Sequence, residues 1–133
     1  MDGRDAATID ALRRTFEAFN RGDFDAAVAI AHPEIEFVPP GGQASLRGAE
    51  ALRAWMEPDA FDEQQIEPLD FRVAGRKVLV HQHAQARGAG SGIELDIENW
   101  TVFTFDDDLL VTRVESYLPH QESEALQAAG LRE

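Results

Sequence analysis

The 133-residue chain contains no cysteine. This excludes a disulfide framework, thiolate zinc sites, thiol nucleophiles and redox chemistry of the protein itself. No unbroken apolar stretch reaches membrane-spanning length, so no transmembrane helix is expected. Positive charge is scarce: 12 Lys and Arg stand against 25 Asp and Glu, a formal net charge of −13. Such a balance repels phosphate backbones and anionic lipid head groups, which argues against nucleic acid and membrane surfaces as partners. Met1-Asp2-Gly3-Arg4-Asp5 lacks a basic segment followed by an apolar run, so no signal peptide and a soluble cytoplasmic setting are expected. What is present is a 44% hydrophobic content, enough for one packed core. The length suits a single domain over residues 1–133.

Ile9, Leu12, Phe16 and Phe19 recur at offsets of three, four and three, predicting a helix over 6–19. Asn20-Arg21-Gly22 stops it, and Asp23 is placed to cap a second helix carrying Phe24, Ala27, Val28 and Ala31 as far as Pro33. Ile35 to Val38 reads as a short strand running into the loop Pro39-Pro40-Gly41-Gly42. A third helix follows from about Gly48 to Glu57, expected to bury Leu52, Trp55 and Met56 and to end at Pro58-Asp59. From Ile66 the period changes, predicting strands over 66–74, 76–87, 92–105 and 109–118, with Gly75, Gly88 to Gly92 and Asp106-Asp107-Asp108 as turns. The third of these sets Asn99, Thr101, Phe103 and Phe105 on one face and Glu94, Asp96, Glu98, Trp100 and Val102 on the other. A final helix within 119–129 turns Leu126 and Ala129 inward, with Gly130 past its end. The order implies an α+β domain in which helices cover one face of a strongly curved antiparallel sheet and close off a conical cavity.

The segments LRRTFEAFNRGD (12–23), Phe24-Asp25-Ala26-Ala27, HPEIEF (32–37), LRGAEAL (46–52), Gly90-Ser91-Gly92-Ile93 and WTVFTFD (100–106) resemble, in order and spacing, the SnoaL-like polyketide cyclase family of the nuclear transport factor 2-like superfamily. The resemblance implies a conical barrel with a pocket for a small apolar molecule, and homodimers formed through the outer sheet face. It does not fix the reaction. In the ketosteroid isomerases of this superfamily the positions of the carboxylate base, the tyrosine and the protonated aspartate fall on Val38, Thr15 and Thr101 here. Shifting the first strand by one residue would offer Phe37 or Pro39. None of these reproduces the isomerase groups.

His81 and His83, two apart in a strand, share one face, and the resemblance turns that face toward the cavity. Imidazole exchanges protons near neutrality, which makes both candidate catalytic residues. They could equally be hydrogen-bonded groups in a wet pocket, or face solvent under the opposite parity. The same spacing suits a metal, but no third ligand is evident beyond Glu36 or Asp96, and neither metal nor cofactor is expected. Asn99, Thr101 and Ser116 are expected to line the cavity, where a ligand or a water would satisfy them. Phe16, Phe19, Phe37, Trp55, Phe103 and Leu118 would form apolar walls. Trp100 and Val102 form an apolar outer patch, read as a partner surface.

The leading expectation is a small-molecule-binding domain, a cofactor-independent isomerase, cyclase or dehydratase if His81 or His83 moves a proton. The alternative is a non-catalytic binding or dimerisation module. A third reading, an acidic surface docking a basic protein, rests on charge alone.

Overall fold

The computed structural model describes residues 3–39, 44–56, 61–88, 90, 92 and 94–131, apart from the side chains of 61–63. Most of the expected Pro39–Gly42 loop, the Pro58-Asp59 helix end and parts of the Gly88–Gly92 turn lie outside that set.

Helix α1 (Gly3–Asn20) buries Leu12, Phe16 and Phe19, the face its apolar spacing predicts. Its end matches the sequence signals: Gly22 takes φ +79°, and the Asp23 carboxylate accepts the Ala26 N–H at 3.2 Å. Helix α2 (Phe24–Ala27) is then a single turn and does not continue to Ala31. The sheet takes over instead, because the Ile30 carbonyl accepts the Val111 N–H at 2.7 Å and strand β1 (Ala31–Val38) begins there. Pro33 therefore lies inside a strand. The β1 ladder is irregular between Ala31 and Glu36, where a missing N–H removes no regular bond.

Strand β2 (Leu46–Arg47) precedes helix α3 (Ala49–Met56). Leu52 is buried there, but Trp55 is 51% exposed, contrary to its expected burial. Its ring meets Phe37, with centroids 4.7 Å apart and planes tilted by 46°, and half of the residue stays exposed. Strands β3 (Phe61–Ala74), β4 (Lys77–Gly88), β5 (Glu94–Phe105) and β6 (Val111–Tyr117) form the expected antiparallel meander, with β3 starting five residues earlier than predicted. The sheet order is β2-β1-β6-β5-β4-β3, and β1 lies parallel to β6, so the sheet is mixed and not wholly antiparallel.

Register assigns every strand residue to a face, because residues opposite one another in an antiparallel pair point the same way. The inner face carries Phe71, Val73, Val78, Val80, Phe103, Val114 and Phe37, which pack with Leu12, Phe16 and Leu52 of α1 and α3. The outer face carries Leu79 and Val102, which pack beneath helix α4 (Glu122–Ala129). Leu126 and Ala129 face inward as predicted, and Gly130 closes α4 in the left-handed conformation. The expected apolar patch is thus partly internal: Val102 is fully buried under the chain's own last helix. No described helix is long and apolar enough to cross a membrane.

The Asp106–Asp108 turn is held by the Asp106 carboxylate, which accepts N–H groups from Asp108 at 2.9 Å and Leu110 at 3.0 Å. Its closure puts Leu109 at φ +62°. A β-branched residue tolerates that conformation less well than leucine. Leu109→Val is therefore expected to destabilise by about 1 kcal/mol, whereas Leu109→Gly stays within about 0.5 kcal/mol of the parent in urea denaturation.

Candidate functional site

The two histidines lie on the outer face, which corrects the cavity placement expected from the resemblance. In the β4–β5 ladder His81 is opposite Trp100 and His83 is opposite Glu98, whereas Gln82 is opposite Asn99 and Val80 is opposite Thr101. His81 and His83 therefore point away from Asn99 and Thr101 and share no hollow with them. The cause is burial on both sides of this strand: Val78 and Val80 pack under α1 and α3 while Leu79 packs under α4. A run of apolar residues on both faces leaves no period-2 signal to set parity.

On the outer face each imidazole has a committed partner. The His81 ring stacks on Trp100, with centroids 4.2 Å apart and planes 13° apart, and its Nε2 lies 3.1 Å from Glu98 Oε1. His83 Nε2 lies 2.5 Å from Asp96 Oδ1, and Gln85 Nε2 donates to Asp96 Oδ2 at 3.4 Å. The Asp96 hydrogen bond, reinforced by the charges of Asp96, Glu67 and Glu98, raises the His83 pKa above its usual 6.5. The same hydrogen bond holds Asp96 below the ordinary carboxylate range. The charged pair therefore persists between the lowered Asp96 pKa and the raised His83 pKa. The His83 contribution to stability is full below the unfolded value and is lost as pH rises through the folded one. NMR titration should place the His83 midpoint above 6.5, and Asp96→Asn should move it down; an unchanged midpoint would remove the pair from the account.

Neighbouring outer-face groups are likewise engaged. Glu36, once a possible third metal ligand, pairs with Arg113, and Glu115 forms an ion pair with Arg113 Nε at 3.2 Å and accepts from the Tyr117 hydroxyl at 3.0 Å. Burial, followed by the Glu115 contact, pushes the Tyr117 pKa up to about 12. Among the described residues no three His, Asp or Glu side chains converge to hold a metal.

The inner face has a different chemistry. At every described inner-face strand position from Gln64 to Val73, Val78 to Ala86 and Leu95 to Phe103 the side chain is apolar, an amide or a hydroxyl. Four polar groups sit together on adjoining strands: Gln82 opposite Asn99, and Thr101 opposite Ser116. Gln82, Asn99 and Thr101 are 6%, 8% and 3% exposed, and Ser116 is half-buried. Gln82 Oε1 and Asn99 Oδ1 are buried with no hydrogen-bond partner. Unpartnered buried polar groups are costly, about 1–3 kcal/mol each; Thr104 Oγ1 on the outer face is another, whereas these two face each other and so present paired acceptors at one place.

The apolar walls are in part those expected. Phe16 meets Phe103 edge to face at 6.1 Å, and Phe37 carries Trp55. Phe19 belongs instead to a separate cluster with Phe24, Ala27, Met56 and Ile66 at the α1–α2 corner. Leu118 follows β6, half-buried, and its N–H donates to Gln121 Oε1 at 2.8 Å. Gln82 was missed by sequence reasoning, because its own strand carries no parity signal; what places it inward is its position opposite Asn99, whose face the alternation of β5 does give. A separate open groove of about 230 Å³ lies at the far end of β3–β5, but its Gln85, Asp96, Arg87 and Glu94 bond to one another.

Residues 12–113 match the family model of the SnoaL-like domain. No curated protein matches the chain. Among solved structures, the epoxide hydrolase/cyclase-like enzyme SalBIII, described in pyran ring formation in the polyether salinomycin, superposes with TM-score 0.78 at 21% identity, over 86% of this chain and 92% of that one. An NTF2-like protein of unknown function from Burkholderia pseudomallei gives 0.75 at 16% identity, over 92% and 96%. The Mycobacterium tuberculosis protein RV0760c, in complex with estradiol-17beta-hemisuccinate, gives 0.72 at 11% identity, over 82% and 91%. At these identities the likeness speaks for the fold.

Proposed function

The chain belongs to the SnoaL-like domain family, and on that premise we propose that its inner sheet face binds a small, largely apolar, uncharged organic molecule without a cofactor. The observation that carries this reading is the pair of buried, unpartnered amide oxygens on Gln82 and Asn99, facing each other on the inner side of the sheet between the Val80–Thr101 and Ala84–Ile97 rows. The described inner-face residues of β3–β5 carry no charge, and Arg13 of α1 on that side is stacked over the Phe71 ring, 5.0 Å from its centroid, so a charged ligand at the amide pair would carry a large desolvation cost. The steroid half-ester bound by RV0760c, an apolar ring system with a free carboxyl group at its succinyl end, and the ring chemistry of SalBIII support the size and apolar body of such a guest but not its charge.

Binding is favoured over proton-transfer catalysis. Isomerisation, cyclisation or dehydration by general base needs a group that titrates near neutrality within reach of the substrate. His81 and His83 are on the other face, each engaged by a carboxylate. The amides and the Thr101 and Ser116 hydroxyls can hold a carbonyl but cannot carry its proton away.

A thermal-shift titration tests the reading. Neutral 2-naphthol, whose O–H can donate to an amide oxygen, should raise the melting temperature, 2-naphthoate should do so much less, and replacing both His81 and His83 by Ala should leave the naphthol's effect in place. Loss of the effect in the histidine variant would return the site to the outer face. A cytoplasmic homodimer belongs to the same proposal, with the second copy docked on the outer face beside α4, around Trp100 and His81. Sedimentation equilibrium reads that directly, and a monomer at micromolar concentration would remove it.

A further inference from the structure

Gln82 and Asn99 face each other across adjacent antiparallel strands, each more than nine-tenths buried, and both present an acceptor with no donor. Directly opposed side chains start from Cβ atoms about 5 Å apart, so one ligand group can reach both. A carboxamide carries a carbonyl acceptor and an N–H₂ donor side by side, and a half-turn of its last torsion exchanges the two. If the amides turn to bond each other once, each still has hydrogen-bonding capacity left over. A lone ketone would satisfy only a donor and leave the oxygens as they are. A lone hydroxyl has one proton for two acceptors. The complement to a carboxamide is a group with a donor and an acceptor on neighbouring atoms, which closes two hydrogen bonds at once. The strand positions around the pair carry no charge, and the Arg13 guanidinium of α1 lies over the Phe71 ring, 5.0 Å from its centroid, so a neutral group is the better complement to the two amides.

Resting on the pocket reading above and going beyond it, we propose that the Gln82–Asn99 pair selects a neutral ring bearing an N–H or O–H donor immediately beside a carbonyl, as in a cyclic lactam or its hydroxy-carbonyl equivalent. The inner-face rows on either side of the pair, Val80 with Thr101 and Ala84 with Ile97, flank the rest of the ring system. Thr101, in the next row of the same face, lies at the edge of this polar patch.

Calorimetric titration of the full chain with 2-quinolone and with 1-methyl-2-quinolone tests the proposal, because the methyl group removes the donor and keeps the ring and carbonyl. The parent should bind 2-quinolone about tenfold or more tightly than its methylated partner, since buried polar groups left unpaired penalise the analogue. The variant carrying Gln82→Met and Asn99→Leu should bind both about equally, and its thermal unfolding shows whether it is folded. The single Asn99→Asp variant, which keeps an acceptor for the ligand N–H but loses a donor for the carbonyl, should bind both quinolones more weakly and still prefer 2-quinolone. Equal binding of the two quinolones by the parent overturns the donor-beside-carbonyl proposal and leaves the pocket reading standing. No binding of either, nor of 2-naphthol, overturns both and leaves the amide pair serving buried water only.

Discussion

Asn20→Ala is expected to lower the unfolding free energy by about 2–3 kcal/mol, a large loss for a single half-buried side chain. The residue ends α1, yet its amide works as a strand partner: Nδ2 donates to the Ile66 carbonyl at 2.9 Å, and Oδ1 accepts the Ile66 N–H at 2.7 Å. Its own carbonyl accepts Gln65 Nε2 at 3.0 Å. One side chain thus satisfies both backbone groups of a β3 residue on the side away from β4 and ties the first helix to the end of the sheet. β3 is an edge strand, whose free backbone groups would otherwise need water or another chain. Truncation to alanine leaves the Ile66 donor and acceptor without these bonds. The melting temperature should fall by roughly 5–15 °C, and the Ile66 amide should exchange faster with solvent. Asn20→Asp, which keeps an acceptor for the Ile66 N–H, should lose about half as much. A loss under about 0.5 kcal/mol in Asn20→Ala would mean that the clamp is incidental.

The second large effect has the opposite sign. Replacing Gln82 by Met and Asn99 by Leu should raise the stability of the ligand-free chain by about 1–3 kcal/mol, because two buried acceptors that now lack donors give way to apolar groups of similar shape. A stability gain coupled to loss of ligand preference is the expected signature of a binding site, where polar groups are kept for a guest at the expense of the empty fold. A structural role would couple the two differently. If the amides held the sheet together through the hydrogen bonds they lack here, the double variant would be less stable, and chemical denaturation separates these outcomes.

The architecture was legible because several independent signals agreed. Leu12, Phe16 and Phe19 fixed the buried side of α1, Asp23 capped α2, and Gly130 ended α4 in the left-handed backbone it alone takes without strain. The faces of β5 were equally plain, since charged Glu94, Asp96 and Glu98 alternate with Asn99, Thr101 and Phe103 in phase. Those signals are local.

What escaped depended on which element covers which surface. α4 lies on the opposite face of the sheet from α1 and α3, so Leu79 is as buried as Val80, and the histidines could not be assigned a side by alternation. The same helix hides Val102, turning an expected docking patch into core. Trp55 kept its helical spacing but not its burial, because its ring meets Phe37 at a tilt and half of the residue stays exposed. The Asn20 clamp pairs residues 46 positions apart, beyond any capping pattern. Of the candidate ligand contacts, Asn99, Thr101, Ser116, Phe37 and Phe103 share the inner face, while Gln82 joins them in the place where His81 and His83 were expected.

The account turns on which sheet face receives the guest, and side-chain amide and imidazole NMR signals of one sample report on both faces at once. Titration with 2-quinolone should shift the Gln82 and Asn99 N–H₂ resonances and leave the ring signals of His81 and His83 where they were. Shifts confined to the two imidazoles, with the amide signals unmoved, would contradict it.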